Sequence, residues 1–170
     1  MKDYVVGFAF NFTGENLLLI RKNRPEFMVG RLGGVGGKVE DADTKQAIEH
    51  ATRALPPGTP NFLLPTGVIA KDAALIAMHR EFHEEAGLWV TKWTHFATVI
   101  NENNGEPYRL FFFYASISIE NATTQTDEQL VTVPAFFLPS DVLPDLNWLV
   151  PMAIDHKFRE ATTVYEIKLT

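Results

Sequence analysis

Three carboxylates stand close together in the string Arg80-Glu81-Phe82-His83-Glu84-Glu85-Ala86-Gly87. Residues 72–87 (DAALIAMHREFHEEAG) have the period of a helix, with Asp72 near its start and Gly87 where it should stop. Leu75, Met78, Phe82 and Ala86 fall on one stripe, the side expected to face the core. Glu81, Glu84 and Glu85 then share an adjacent face, at spacings of three and four. Like charges so placed repel by about 0.2–0.5 kcal/mol per pair in an isolated helix. Two readings follow. One is a solvated acidic face. The other is a site for a hard divalent cation, whose charge cancels the repulsion. Arg80 lies beside Glu81 and could hold its carboxylate in one orientation by charge-assisted hydrogen bonds. His79 and His83 flank the carboxylates, but on the wheel His79 lies about 160° from Glu81 and no third ligand is apparent, so they read as surface or edge residues.

A second segment supplies the other half of the argument. Residues 30–38 (GRLGGVGGK) contain five glycines. Alone, such a stretch is only a flexible loop. Followed by Arg80 to Leu88, the string Gly37-Lys38-Val39-Glu40 resembles the opening of the Nudix hydrolase signature. Arg80-Glu81-Phe82-His83-Glu84-Glu85-Ala86-Gly87-Leu88 matches every fixed place of its second half. Two departures stand out. Gly37 and Arg80 are 43 positions apart where the signature has 14, an excess of 29, so an insertion over about 42–70 splits the motif. The acid due eight places before Arg80 is Asp72, while Asp43 is its rival when the loop is counted forward. Either could be structural, and the insertion could be a lid, an oligomer contact or a surface excursion.

The resemblance implies an α/β fold, the Nudix α/β/α sandwich with a mixed β-sheet, and hydrolysis of a nucleoside diphosphate linked to another group. It implies Mg²⁺ as cofactor, with Mn²⁺ as an alternative. Glu84, Glu85 and the Gly36 carbonyl would be metal ligands. Glu81 would be a ligand or the general base, Arg80 would orient it, and Lys38 would position loop or phosphate. The chemistry is consistent, because a diphosphate is repelled by carboxylates unless a metal intervenes.

The layout GRLGGVGGKVE, GEP at 105–107, TDEQ at 126–129 and LPDLNWLVPMAIDHKF is similar to that of MutT-type enzymes acting on oxidised purine triphosphates. Glu128 would then add a carboxylate beside the metal, or be an exposed turn acid. Asp145 matches a base-contacting acid, or caps the helix after it. Gly33 stands in place of a purine-reading Asn, Leu143 in place of a stacking Trp, and Leu146 in place of a second acid. A pocket of Leu143, Leu146 and Trp148 could still stack a base. The favoured reaction is release of pyrophosphate and a monophosphate from a nucleoside triphosphate. ADP-ribose or dinucleotide cleavage, and a non-catalytic nucleotide-sensing or protein-binding module, remain as alternatives.

The elements that must hold these residues are readable in outline. Strands are expected at 4–12, 17–21, 94–100, 108–119 and 132–138, the first two as a hairpin. A helix is expected at 43–54, with Asp43 or Thr44 as N-cap, and another at 146–157 containing Pro151. The last segment, TTVYEIKLT, alternates like an edge strand. With 170 residues, the chain is expected to form a single domain over 1–170.

Composition narrows the classes. Hydrophobic residues are 46% of the chain, including 13 Phe, which excludes intrinsic disorder. With no cysteine, thiol catalysis and disulfide scaffolds are excluded, and the cytoplasm is the expected location. The net charge of −6 argues against a long nucleic acid as partner. No apolar run approaches a membrane span and the N-terminus does not read as a signal peptide, so no membrane partner is expected. The expected partner is a small nucleotide, with a homodimer left open.

Overall fold

The computed structural model describes residues 1–55, 65–102 and 105–169. Seven strands form one sheet: β1 (Lys2–Phe10), β2 (Asn16–Arg21), β3 (Leu32–Gly33), β4 (Thr94–Asn101), β5 (Tyr108–Ser116), β6 (Gln129–Pro134) and β7 (Tyr165–Leu169). The order is β3-β2-β1-β5-β4-β7, with β6 on the outer side of β2. The sheet is mixed. β1 runs parallel to β5 from Lys2↔Tyr108 to Phe10↔Ser116, and β7 runs parallel to β4, while the other pairs are antiparallel. The alternating tail strand is thus an edge strand, as its pattern indicates. β6 starts and ends earlier than the 132–138 expected, because Gln129 already pairs with Arg21.

Central strands read as continuous apolar runs because both faces are covered. Phe8, Phe10, Leu17, Leu19, Phe96 and Phe112 pack on one face against the third helix, α3 (Leu146–Phe158). Val5, Ala9, Leu18, Ile20, Phe111 and Phe113 pack on the other against α2 (Thr66–Ala86). The α2 face is lined by Ala74, Ala77, Met78, Phe82 and Ala86. Phe82 is fully buried and meets Trp93 edge-on at 5.1 Å. A phenylalanine so buried contributes about 1.5–3 kcal/mol. Helix, sheet and helix make an α/β/α sandwich.

The first helix, α1 (Asp41–Ala54), and the start of α2 (Thr66–Ala86) fall where an insertion over about 42–70 is expected. The N-cap of α1 is Glu40, not Asp43 or Thr44. Asp43 is the third helical residue, and its carboxylate accepts from the Glu40 N–H at 2.9 Å in a capping box. α2 begins at Thr66, after Pro65, six residues ahead of the expected start. Asp72 therefore lies inside the helix, exposed, and caps nothing. α2 ends where expected, with Gly87 at φ 70 and its N–H bonded to the His83 carbonyl. α1 packs along α2, with its first turn beside Arg80, so the two run in opposite senses. Most of the connection, residues 56–64, lies outside the described residues.

β1 and β2 pair only near their hairpin, at Ala9↔Leu18 and Phe10↔Leu17. The glycine-rich strand segment fills the gap where they part. Val35 exchanges backbone bonds with Gly7, and the Gly37 carbonyl accepts from the Val5 N–H at 2.9 Å. The loop is therefore a sheet element with fixed partners. It brings Gly37 against Glu81 of α2.

Candidate active site

Arg80 organises the junction of loop and helix. Its Nε and Nη2 donate to the two Asp43 carboxylate oxygens at 3.2 and 2.9 Å. Nη2 also reaches the Lys38 carbonyl at 3.0 Å, and Nη1 donates to Glu81 at 2.9 Å and to Glu84 at 3.2 Å. Paired hydrogen bonds of this kind fix orientation as well as charge. Asp43 is buried and holds the Arg80 guanidinium firmly protonated. Asp43, not Asp72, thus faces Arg80.

Gly37 explains how the loop comes so close. A Cβ there would lie 2.5 Å from the Glu81 carboxylate, so only glycine leaves that carboxylate its place. Burial pushes the Glu81 carboxyl up, while Arg80 opposes the rise. Glu85 is deeper. Burial pushes it up to about 7, Lys22 opposes, and Glu128 adds to the rise. Its Oε2 is buried without a hydrogen-bond partner.

Glu128 is buried, not an exposed turn acid. It accepts from Lys22 Nζ at 2.9 Å and from the Asn23 N–H at 2.8 Å. Asp127 accepts from Asn23 Nδ2 at 2.6 Å. These bonds fasten the segment after β2 to the loop before β6.

The oxygen donors here, Glu81, Glu84, Glu85, Glu128 and the Gly36 carbonyl, are of the type that suits Mg²⁺ or Mn²⁺. The unpartnered Glu85 oxygen is an acceptor that a cation would satisfy. Among the described residues, no three His, Asp or Glu side chains form a ready metal cage. Instead, Arg80 pairs with Glu81 and Glu84, and Lys22 pairs with Glu128.

A cleft of about 530 Å³ adjoins this cluster. Gly36, Gly37 and Lys22 belong to both, since they line the cleft and touch or flank the carboxylates. Its walls are largely apolar and aromatic, with Tyr4, Val6, Phe27, Tyr108, Phe112 and Leu146 among them. Leu143 and Asp145 line it too. Gly33 sits behind them, where a Cβ would lie 3.1 Å from Leu143. Asp145 occupies the N-cap position of α3 but makes no capping side-chain bond, and burial pushes its carboxyl up. Lys38 contributes its carbonyl, and its side chain is exposed. Trp148 stands outside the cleft, because two positions along a helix turn it about 200° from Leu146. His83 stacks on the exposed Trp89 at 4.0 Å, as an edge residue would.

Lys22, Asn23, Arg24 and Phe27 carry no motif that marks them. Only the proximity of a basic pair to the end of β2 could have drawn attention to them.

No family model matches the chain, and no curated protein matches it. Solved structures do. The NUDIX domain of Shewanella oneidensis NrtR, complexed with ADP ribose, has 13% identity and a TM-score of 0.60, over 91% of this chain and 87% of that one. MutT from the study of Aliivibrio salmonicida and Vibrio cholerae has 19% identity and a TM-score of 0.57, over 91% and 98%. The MutT NUDIX hydrolase from Burkholderia pseudomallei has 19% identity and a TM-score of 0.56, over 89% and 98%. The sheet, its covering helices and these likenesses agree: the chain has the Nudix fold.

Proposed function

We propose that this Nudix-fold protein is a divalent-metal-dependent hydrolase of a nucleoside diphosphate linked to another group, with a nucleoside triphosphate as the favoured substrate. Water would then cleave it to a monophosphate and pyrophosphate. The observation that carries the reading is the contact between an apolar cleft and the carboxylates, made by Gly37 against Glu81 and by Lys22 on Glu128.

Glu84, Glu85, Glu128 and the Gly36 carbonyl would hold Mg²⁺ or Mn²⁺, with Glu81 as a further ligand or as the base. A metal there would neutralise the diphosphate and acidify a bound water. Glu81, half-buried and raised by that burial, is suited to take the proton of the attacking water. Arg80 and Asp43 fix its direction. Lys22, Arg24 and Lys38 supply positive charge for the phosphates. Leu143, Leu146 and the tyrosines give a base flat apolar surfaces, with Gly33 behind Leu143. Asp145, which lines the cleft, offers carboxylate oxygens to the edge of a base. The cytoplasm, where nucleotides and Mg²⁺ are abundant, is the proposed location. No helix among the described residues is long and apolar enough to cross a membrane.

The test is a nucleotide panel with Mg²⁺ or Mn²⁺ and chromatographic identification of products. Pyrophosphate plus a monophosphate supports the triphosphate reading, and AMP plus ribose phosphate moves it to ADP-ribose. Glu84→Gln is expected to abolish turnover with the fold intact. A folded variant with full activity overturns the site.

A second reading is a ligand-sensing module without turnover. It is favoured by the ion pairs that already engage Glu81, Glu84 and Glu128. Saturable metal and nucleotide binding with no product across the panel would select it.

A further inference from the structure

Away from the cleft, four phenylalanine rings stand in solvent: Phe12 (71% exposed), Phe136 (54%), Phe137 (82%) and Phe158 (67%). The segments that carry them adjoin: the β1–β2 turn, the chain after β6 and the end of α3. Phe136 and Phe158 line a shared groove of about 440 Å³ with Ala135, Leu138, Pro151 and Ile154. Ala135 donates its N–H to the Glu15 carbonyl, which ties the end of β6 to the β1–β2 turn. Lys157 lies over the rings of Phe10 and Phe158, and Gly14 of that turn is next to its ammonium.

A phenylalanine ring exposes about 150–250 Å² when free, so these four present about 500 Å² of apolar surface. That is as large as the greatest patch of an ordinary monomer, and such patches mark interaction sites. Two facing copies would bury about 1,000 Å², the lower bound for a specific interface.

We propose that this face joins two copies of the chain about a two-fold axis. The patch carries both members of a complementary pair. Phe137 protrudes and the groove beside it is concave, so a knob and a hole lie on one surface. Its charges have both signs as well: Asp155 lines the groove, and Arg159, bonded to it at 2.7 Å, lies one turn further along α3. A two-fold axis that sets α3 antiparallel to its copy brings Asp155 to the partner's Arg159, and the reverse. A lipid surface or a highly charged peptide would call for one sign of charge. A second copy calls for this mixture.

Sedimentation of the full chain over a concentration series tests the proposal. A monomer–dimer equilibrium is expected in the micromolar range. Phe137→Glu and Phe158→Glu should each weaken it by about 100-fold or more, as central interface aromatics do. Both residues are exposed, so thermal unfolding of the diluted variants should match the parent. Asp155→Arg and Arg159→Asp should each weaken the dimer, and the double exchange should recover it. A single monomeric species up to high micromolar concentration overturns the proposal. So does a dimer indifferent to both glutamate substitutions.

Discussion

Asp43 grips Arg80 across 37 positions of sequence, one carboxylate oxygen on Nε and the other on Nη2. The pair ties the first turn of α1 to the last turns of α2. It also sets the guanidinium so that its remaining edge meets Glu81 and Glu84.

Removal of either member should therefore cost stability as well as chemistry. Breaking a buried pair by truncating one partner costs about 3–5 kcal/mol. Arg80 is partly exposed, which places Asp43→Ala at about 3 kcal/mol, the low end of that range. Asp72→Ala, at an exposed helix position, should stay within about 0.5 kcal/mol of the parent. Urea unfolding of the two variants reads the difference. Equal losses would mean that Asp43 is not the brace.

Gly37→Ala separates positioning from stability. The new Cβ meets the Glu81 carboxylate, which must turn away from Arg80. A misplacement on the order of 1 Å costs about 100-fold in turnover. A fall of that size in kcat/KM is expected, with a small change in Tm. Undiminished activity would remove Glu81 from the reaction.

Glu85 makes the metal-free protein sensitive to pH. It titrates at about 7 when folded and near ~4.3 when unfolded. Between those values the folded state binds more protons, so the stability due to this group is full below the unfolded value and is lost as pH rises through 7. In chelator, unfolding free energy should drop by about 2–3 kcal/mol from pH 5 to pH 8 through this residue. Glu85→Gln should flatten that slope. Added Mg²⁺ at pH 8 should recover the loss in the parent and not in the variant.

Glu160 adopts φ 49, the sole non-glycine residue with positive φ among the described residues. It follows the last turn of α3, where the Ala161 N–H bonds to the His156 carbonyl at 3.0 Å. Left-handed backbone costs a side-chain-bearing residue about 1–2 kcal/mol. Glu160→Gly should stabilise the fold by roughly 1 kcal/mol, a rise of a few degrees in Tm by calorimetry. A fall in Tm would refute the strain.

The sequence makes the helical carboxylates legible because their relation is local. Arg80, Glu81 and Glu84 lie within one turn, and the contacts expected of Arg80 with Glu81 follow from that turn alone. The two faces of the sheet are also legible, since runs such as Phe8-Ala9-Phe10 and Phe111-Phe112-Phe113 require cover on both sides. Long-range pairings are not. Nothing near Lys22 announces Glu128, which arrives from another loop, and the choice between Asp43 and Asp72 depends on how two helices pack. The start of α2 is hidden because Thr66-Gly67 follows a proline-rich stretch and resembles its continuation. Trp148 looks like a base platform until the wheel of α3 turns it outward.

The antiparallel course of α1 and α2 has a geometric corollary. A chain that leaves a point and returns to it adds length without adding displacement, so the glycine-rich loop and the carboxylate helix meet whatever the length between them. The Asp43–Arg80 bond marks where departure and return coincide. Residues beyond that bond, on both arms, are free to vary in number by matched helical turns while the carboxylates below keep their places.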